Sequence, residues 1–246
     1  MADTVWTPIA VHDAARPRHS AIVRLTHWLT TVFFLALLVT GTEIVISHPR
    51  FYWGETGNVT TQPIFKLPIP ASRGTVPTGY NYVLHDQNGW SRYLHFEAAW
   101  GAVLTGLLYL IFGLLTGHFA KNLLPAPGDL SWRSLSSVLA GHLRLKPANH
   151  DSYNVLQRLA YFSVVFILFP LIIWTGLAMS PGIASAFPGV VTSLGGQQSA
   201  RTIHFFVTIA LVIFLAVHIA MVCLSGFRTL MRAMITGGSS TKGTQV

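Results

Sequence analysis

The sequence predicts an all-α membrane protein, a bundle of four transmembrane helices. Hydrophobic residues make up 51% of the 246-residue chain and charged residues only 10%, and the mean hydropathy is +0.51. Soluble domains carry about 25% charged residues, so this chain has too few charges to solvate a globular surface of its size. Four apolar runs reach the roughly 20 residues that a helix needs to cross the hydrocarbon layer. These runs lie at about 22–46, 93–117, 157–179 and 202–225.

The basic residues between these runs predict an orientation. Lys and Arg number three in 1–24, four in the middle loop 118–156 and three after residue 226. The first loop, 47–91, has three over 45 residues, and the third loop, 180–200, has none. By the positive-inside rule, both termini and the middle loop face the cytoplasm, and the other two loops face the opposite side, which is the periplasm if the membrane is a bacterial inner membrane. The expected division is a cytoplasmic tail 1–21, a four-helix domain 22–226 and a cytoplasmic tail 227–246.

Charge and cysteine content exclude several classes of function. The net charge is +8, but the basic residues flank the apolar runs and form no patch interleaved with aromatic residues, which argues against nucleic-acid binding. The single cysteine, Cys223, excludes an intrachain disulfide and a Cys-x-x-Cys-His site for covalent haem. It also excludes a thiolate-held iron–sulfur cluster, because such clusters need several cysteines.

Four histidines lie in the predicted helices at two matched depths. His27 is near the cytoplasmic start of the first helix, and His95 is near the periplasmic start of the second. The fourth helix carries both His204, near its periplasmic start, and His218, deeper toward the cytoplasm. Fourteen residues at 1.5 Å each separate the two levels by roughly 20 Å, and fourteen steps of about 100° leave both side chains on one face.

This arrangement predicts two haem sites. Polar side chains inside a membrane are costly and usually functional, and the neutral imidazole is a good ligand for haem iron. The depths pair His27 with His218 and His95 with His204, so that the fourth helix gives one ligand to each of two stacked haems. The chain would then conduct electrons across the membrane. The remaining histidines are predicted not to be ligands: His12, His19, His48, His85, His118, His142 and His150.

Three arginines each lie three residues before a candidate ligand and therefore share a helix face with that ligand. Such guanidinium groups suit haem propionates, and the alternative is an interfacial anchor. These arginines are Arg24, Arg92 and Arg201.

Two glycines lie in phase with the ligands of their helices. Gly41 follows His27 by fourteen residues, and Gly106 follows His95 by eleven. The absence of a side chain at these positions predicts clearance for a haem, with helix packing as the alternative.

Four stretches carry a resemblance to a known family. "VRLTHWLTTVFFLALLVTG", "YLHFEAAWG", "YNVLQRLAY" and "RTIHFFVTIALVIFLAVH" resemble the bacterial cytochrome b561 / nickel–iron hydrogenase b-type cytochrome family, over about 22–226. Its relatives include the gamma subunit of formate dehydrogenase and the cytochrome b of thiosulfate reductase. The resemblance implies a four-helix bundle with two haem b groups, held by the same two histidine pairs. It implies an electron-transfer subunit, not itself an enzyme, that links a partner oxidoreductase to the quinone pool.

The resemblance also implies a quinone site and a partner. At the start of the third helix, Asn154, Gln157 and Arg158 match the quinone-site motif of the formate dehydrogenase relative, whereas Leu156 replaces its glycine. An interfacial helix start with a basic anchor is the alternative. "SHPRFYWGETG" in the first loop resembles members that accompany a molybdopterin oxidoreductase of the sulfite oxidase type, and a Ni,Fe-hydrogenase is the other candidate partner. The three aromatic residues of this stretch, Phe51, Tyr52 and Trp53, are expected to be exposed. They suit partner docking or an aromatic belt against membrane lipid, and the belt is favoured.

Two other classes of function are weaker. A metal transporter would need three or four clustered ligands for zinc, whereas these histidines fall into pairs about 20 Å apart by helix rise. A cofactor-free membrane anchor leaves four buried imidazoles unexplained.

Overall fold

The computed structural model describes residues 19–58, 60–69, 82–123 and 155–238, and this part of the chain is mostly α-helical. A short antiparallel ribbon pairs β1 with β2. The elements are α1 (Ala21–Ser47), β1 (Arg50–Phe51), β2 (Phe65–Lys66), α2 (Tyr82–Thr116), α3 (His118–Asn122), α4 (Val155–Ser163), a π-helical turn (Val164–Leu168), α5 (Phe169–Met179), α6 (Pro181–Ala186), α7 (Gly189–Thr192), α8 (Gln197–Leu224) and α9 (Phe227–Thr236).

Four helices are long and apolar enough to cross a membrane, which confirms the predicted fold class. They are α1, the part of α2 from residue 89, the continuous helix from α4 to α5, and α8. Two of them extend beyond their predicted starts, because α2 begins at residue 82 instead of near 93 and α8 at residue 197 instead of near 202. The added turns are polar. Hydropathy therefore locates only the part of each helix that fits inside the hydrocarbon layer, and the helical hydrogen bonds continue beyond that part.

The first two helices form one closely packed pair. Ser20 caps α1, because its hydroxyl accepts a hydrogen bond from the amide of Val23 at 3.4 Å. Pro49 follows the last residues of α1 and disfavours helical backbone at His48. Where α1 and α2 meet, a Cβ on Gly101 would lie 2.4 Å from the ring of Phe33, so only glycine admits this contact.

The third membrane helix widens for one turn in its middle. The amide of Phe169 bonds the carbonyl of Val164, five residues earlier, which is the π-helical pattern. The cause lies at Pro170, whose ring removes a donor and crowds the carbonyl four residues before it. Val164 is buried in this turn against Val207 and Leu211 of α8, both of which lie between His204 and His218 in sequence. An apolar core therefore occupies the fourth helix between its two histidines.

The first loop folds back onto the start of α8. The carbonyl of Gly54 accepts the amides of Gln198 and Ser199 at 2.9 and 3.3 Å, and the Ser199 hydroxyl accepts the Gly54 amide at 2.8 Å. Thr202 donates its hydroxyl to the carbonyl of Tyr52 at 2.7 Å. The loop thereby satisfies amides that the first turn of a helix otherwise leaves without partners.

This docking corrects the expectation that all three loop aromatics are exposed. Phe51 and Tyr52 are only 1% and 6% exposed, whereas Trp53 is 59% exposed. Phe51 is covered because its ring stacks on Phe65 of β2 and packs against Phe205 of α8, with ring centres 4.6 and 4.4 Å apart. Only Trp53 therefore fits the predicted belt or docking role.

The segment after α8, predicted as a cytoplasmic tail, begins with a helix. α9 lies against the start of α1, where Trp28 donates its indole N–H to the carbonyl of Met234 at 3.2 Å. Arg24 donates to the carbonyl of Ile235 at 3.0 Å. Charged and apolar residues alternate at helical spacing in "FRTLMRAMIT", which is typical of a helix lying along a surface. The end of the bundle that holds His27 is therefore covered by α9.

Candidate functional site

The four membrane histidines lie in two pairs, and each pair joins α8 to another helix. The ring centres of His27 and His218 are 6.4 Å apart, and their planes differ by 50°. The ring centres of His95 and His204 are also 6.4 Å apart, with planes 60° from each other. α8 thus contributes one imidazole to a pair with α1 and one to a pair with α2.

This spacing fits an iron atom between two imidazoles. Metal–nitrogen bonds of about 2 Å, with each nitrogen about 1.2 Å from its ring centre, place the two ring centres about 6.4 Å apart. The rings are thus too far apart to bond each other directly and correctly spaced for a shared metal. Haem iron accepts two axial histidines of this kind, so the residues present fit the group.

Two threonines, which the sequence analysis did not single out, bind the second pair. The hydroxyl oxygen of Thr40 lies 2.9 Å from Nδ1 of His95, and that of Thr175 lies 2.9 Å from Nδ1 of His204. A sequence signal existed: both threonines precede a glycine, in Thr40-Gly41 and Thr175-Gly176. This Thr-Gly dipeptide can be assigned to a histidine contact only when the neighbouring helix is known.

The two predicted clearance glycines have different surroundings. A Cβ on Gly41 would lie 3.4 Å from Cε1 of His95, so this glycine lies directly against the imidazole. A Cβ on Gly106 would meet no atom of the described residues within 4 Å. Gly176, which was not predicted, matches Gly41, with a corresponding distance of 3.7 Å to Cε1 of His204.

The three arginines differ in their partners. Arg201 donates to the carbonyl of His48, and its guanidinium lies 5.2 Å from the centre of the Phe51 ring. Arg24 donates to Ile235 of α9, while its Nε is buried and has no hydrogen-bond partner in the part of the chain that the structure describes. Arg92 is exposed. The structure therefore gives Arg201 and Arg24 protein partners, and the propionate role of all three stays a prediction.

The predicted quinone residues are only partly described. Gln157 and Arg158 lie in α4 and are half-buried, whereas Asn154 lies outside the described residues. The quinone site therefore stays a prediction.

Histidines outside the two pairs have other surroundings. The ring of His118, in α3, packs against the rings of Tyr109 and Phe112, each with centres 5.9 Å away. Burial lowers the pKa of His118. His48 ends α1, and its carbonyl binds Arg201. Among the described residues, no three His, Cys, Asp or Glu side chains come together as metal ligands. The candidate ligands in this part of the chain are therefore the two histidine pairs.

Comparison with known proteins identifies the family of the chain. The family model described as prokaryotic cytochrome b561 matches residues 18–237. A candidate protein-methionine-sulfoxide reductase subunit YedZ1 of Azospira oryzae is 33% identical over 89% of this chain and 96% of its own. A candidate Ni/Fe-hydrogenase B-type cytochrome subunit of Cupriavidus necator is 27% identical over 82% of this chain and 76% of its own. The corresponding Azotobacter vinelandii subunit is 24% identical over 82% of this chain and 77% of its own.

No solved structure matches the chain. The family match nevertheless spans all four membrane helices and both histidine pairs. The chain therefore belongs to the prokaryotic cytochrome b561 family of membrane-bound b-type cytochromes.

Proposed function

We propose that this chain is the electron-transfer subunit of a membrane oxidoreductase complex and binds two haem b groups. His27 and His218 hold one haem, and His95 and His204 hold the other. The observation that carries this proposal is the spacing of 6.4 Å between ring centres in both pairs. The names of the relatives support the coarser role, because each is a subunit of a reductase or a hydrogenase.

The protein contributes position and environment to this function. Bound haem supplies one-electron oxidation and reduction, and two histidines per iron leave no open coordination position for oxygen chemistry. α8 fixes the distance between the sites, because the fourteen residues from His204 to His218 rise by roughly 20 Å. Val164, Val207 and Leu211 are buried beside this stretch, where they exclude water.

The proposed complex has an orientation and two redox partners. Both termini face the cytoplasm, and the His95–His204 pair lies toward the periplasm, where the catalytic subunit docks. That subunit is a molybdopterin enzyme or a Ni,Fe-hydrogenase, as the resemblance implies. Quinone exchanges electrons at the opposite end, beside the His27–His218 pair, at Asn154, Gln157 and Arg158.

The haem proposal is tested by spectroscopy of the protein purified in mild detergent. We expect b-type bands in the dithionite-reduced minus oxidised spectrum, at two haems per chain. His27→Ala and His218→Ala should each remove one haem, the same one, and His95→Ala and His204→Ala the other. His118→Ala is the matched control and should retain both. Well-folded protein that contains no haem after expression with ample haem supply would contradict the proposal.

The orientation is tested by reporter fusions. We expect green fluorescent protein to fluoresce when fused after Val246, because it folds in the cytoplasm and not after Sec-dependent export. Alkaline phosphatase inserted after Gly57, in the first loop, should be active, because it matures in the periplasm. The reverse pattern of the two reporters would place the partner on the other side of the membrane.

A further inference from the structure

We propose that Thr40 and Thr175 are positioning residues that lower the reduction potential of the haem held by His95 and His204. This inference rests on the proposed function, because it assigns a role toward a haem at that pair. The threonine contacts distinguish the two haem sites from each other, whereas the spacing between ring centres is the same at both sites.

The two threonines occupy equivalent positions in the two helix pairs. Thr40 of α1 bonds His95 of α2, and Thr175 of α5 bonds His204 of α8, both at 2.9 Å. Both threonines are fully buried, with 1% and 0% of their surface exposed. Each is followed by the glycine that lies against the same imidazole.

The hydrogen bonds of the threonines fix where the imidazole protons lie. Thr40 donates its own hydroxyl proton to the carbonyl of Ala36 at 2.7 Å, and Thr175 donates to that of Leu171 at 2.9 Å. A hydroxyl that has donated its proton can only accept from Nδ1, so Nδ1 carries the hydrogen. The lone pair of each imidazole is then on Nε2, the nitrogen available to iron.

The carbonyls of Leu37 and Ile172 belong to the same two contacts, because they lie 3.3 and 3.0 Å from the hydroxyl oxygens of Thr40 and Thr175. Valine has nearly the shape of threonine and lacks only the hydroxyl. For this reason we expect valine variants at these positions to fold.

One imidazole of the other histidine pair differs in this respect. Nδ1 of His27 is buried and has no hydrogen-bond partner among the described residues. A partner on Nδ1 raises the basicity of a metal-bound histidine, and a more basic ligand favours the higher oxidation state of the metal. The threonine contacts should therefore stabilise the ferric state selectively at the His95–His204 site.

The test is a potentiometric titration of the purified dihaem protein. In the double variant Thr40→Val/Thr175→Val, which keeps the shape and loses both hydroxyls, one haem should become about tenfold easier to reduce, or about 59 mV higher in potential. The other haem should be unchanged. The low-spin ferric EPR signal that reports the angle between the imidazole planes should also change for that haem. The corresponding serine variant keeps the hydroxyls and should behave as wild type.

Thr105→Val is the matched control. Thr105 is also buried and precedes a glycine, Gly106, and its hydroxyl bonds the carbonyl of Gly101 at 2.7 Å in its own helix, as that of Thr40 bonds Ala36. Among the described residues, however, Thr105 has no hydrogen bond to a histidine. An equal shift in this control, an equal shift of both haems, or unchanged potentials and EPR in the valine variant would overturn the inference.

Loss of haem also has a defined meaning in this test. One haem lost from the valine variant but retained in the serine variant supports the positioning role. Loss from both variants would mean that packing matters and the hydroxyl does not, which overturns the inference. The haem content of the wild type is measured first, because a wild type without haem at His95 and His204 would refute the proposed function instead.

Discussion

At the scale of single residues, the second histidine pair shows how a membrane interior accommodates imidazole. An unpaired polar group in hydrocarbon costs several kcal/mol, roughly, and each imidazole has two nitrogens to satisfy. At His95 and His204, a neighbouring helix supplies a threonine for Nδ1. Under the proposed ligation, iron satisfies the other nitrogen. A cofactor and a hydroxyl together thus remove the cost of placing the ring there.

The contact between Gly41 and His95 leads to a prediction. In Gly41→Leu, the new side chain begins in van der Waals contact with the imidazole, 3.4 Å from Cε1 of His95, and its three further carbon atoms compete with the ring for space. We expect this variant to lose one of two haems, with a loss of about half the reduced-minus-oxidised absorbance. Gly89→Leu on α2 is the control, because a Cβ there lies more than 4 Å from every other residue that the structure describes. A Gly41→Leu variant with full haem content would show that the site is looser than the structure indicates.

The sequence was informative about residues whose chemistry does not depend on their neighbours. A histidine within an apolar run is conspicuous, and four of them at two depths predict pairs from helix rise alone. The role of Thr40 or Thr175 was not visible, because a threonine in a membrane helix can bond its own backbone. Assigning it to a histidine requires knowing which helix faces which, and that depends on packing between distant segments.

At the scale of elements, the first loop and α8 act as one unit. Gly196 precedes α8 with φ 113° and ψ 169°, a backbone conformation that is essentially restricted to glycine. A Cβ at this position would also lie 2.5 Å from the backbone of Gly54. The loop can thus reach the start of α8 only because residue 196 lacks a side chain.

Gly196→Ala should therefore destabilise the protein. The strained conformation alone costs about 1–3 kcal/mol, and the clash with the loop adds to it. We expect a lower midpoint of thermal unfolding and greater protease sensitivity between β1 and β2. Gly182→Ala, in α6, is the control, because a Cβ there has open space. Equal stability of the two variants would mean that the loop is not held by this contact.

Boundaries of elements were predicted less well than their existence, for a physical reason. The apolar runs located all four membrane helices, since hydrocarbon requires apolar side chains. The polar extension of α2, the burial of Phe51 and the helix α9 were missed, because each depends on contacts with another segment. Trp28 and Arg24, for example, hold the end of α9 from the first helix.

At the scale of the whole molecule, α8 sets the geometry of both candidate sites. His204 and His218 lie on one face because fourteen residues make nearly four complete turns. One alanine inserted between Leu211 and Val212 would rotate the two histidines by about 100° relative to each other and shift them by about 1.5 Å. The insertion point lies in the apolar core beside Val164.

We expect this insertion to leave at most one haem per chain. The same alanine inserted between Gly237 and Gly238, after α9, should leave two, and comparison of the two haem-to-protein ratios is the measurement. Two haems in the α8 insertion variant would require the helix to absorb the extra residue as a bulge, which would contradict a rigid spacing between the sites.

The use of α8 by both pairs has a consequence for biosynthesis. A chain leaves the ribosome from its N-terminus, so His27 and His95 enter the membrane well before the helix that carries their counterparts. Neither pair exists until the last membrane helix has been inserted. Under the proposed ligation, haem acquisition is thus a late event, and a chain interrupted anywhere before α8 leaves the ribosome unable to retain cofactor. Haem content then reports synthesis through α8, and an assembly pathway could use it to distinguish such chains from shorter fragments.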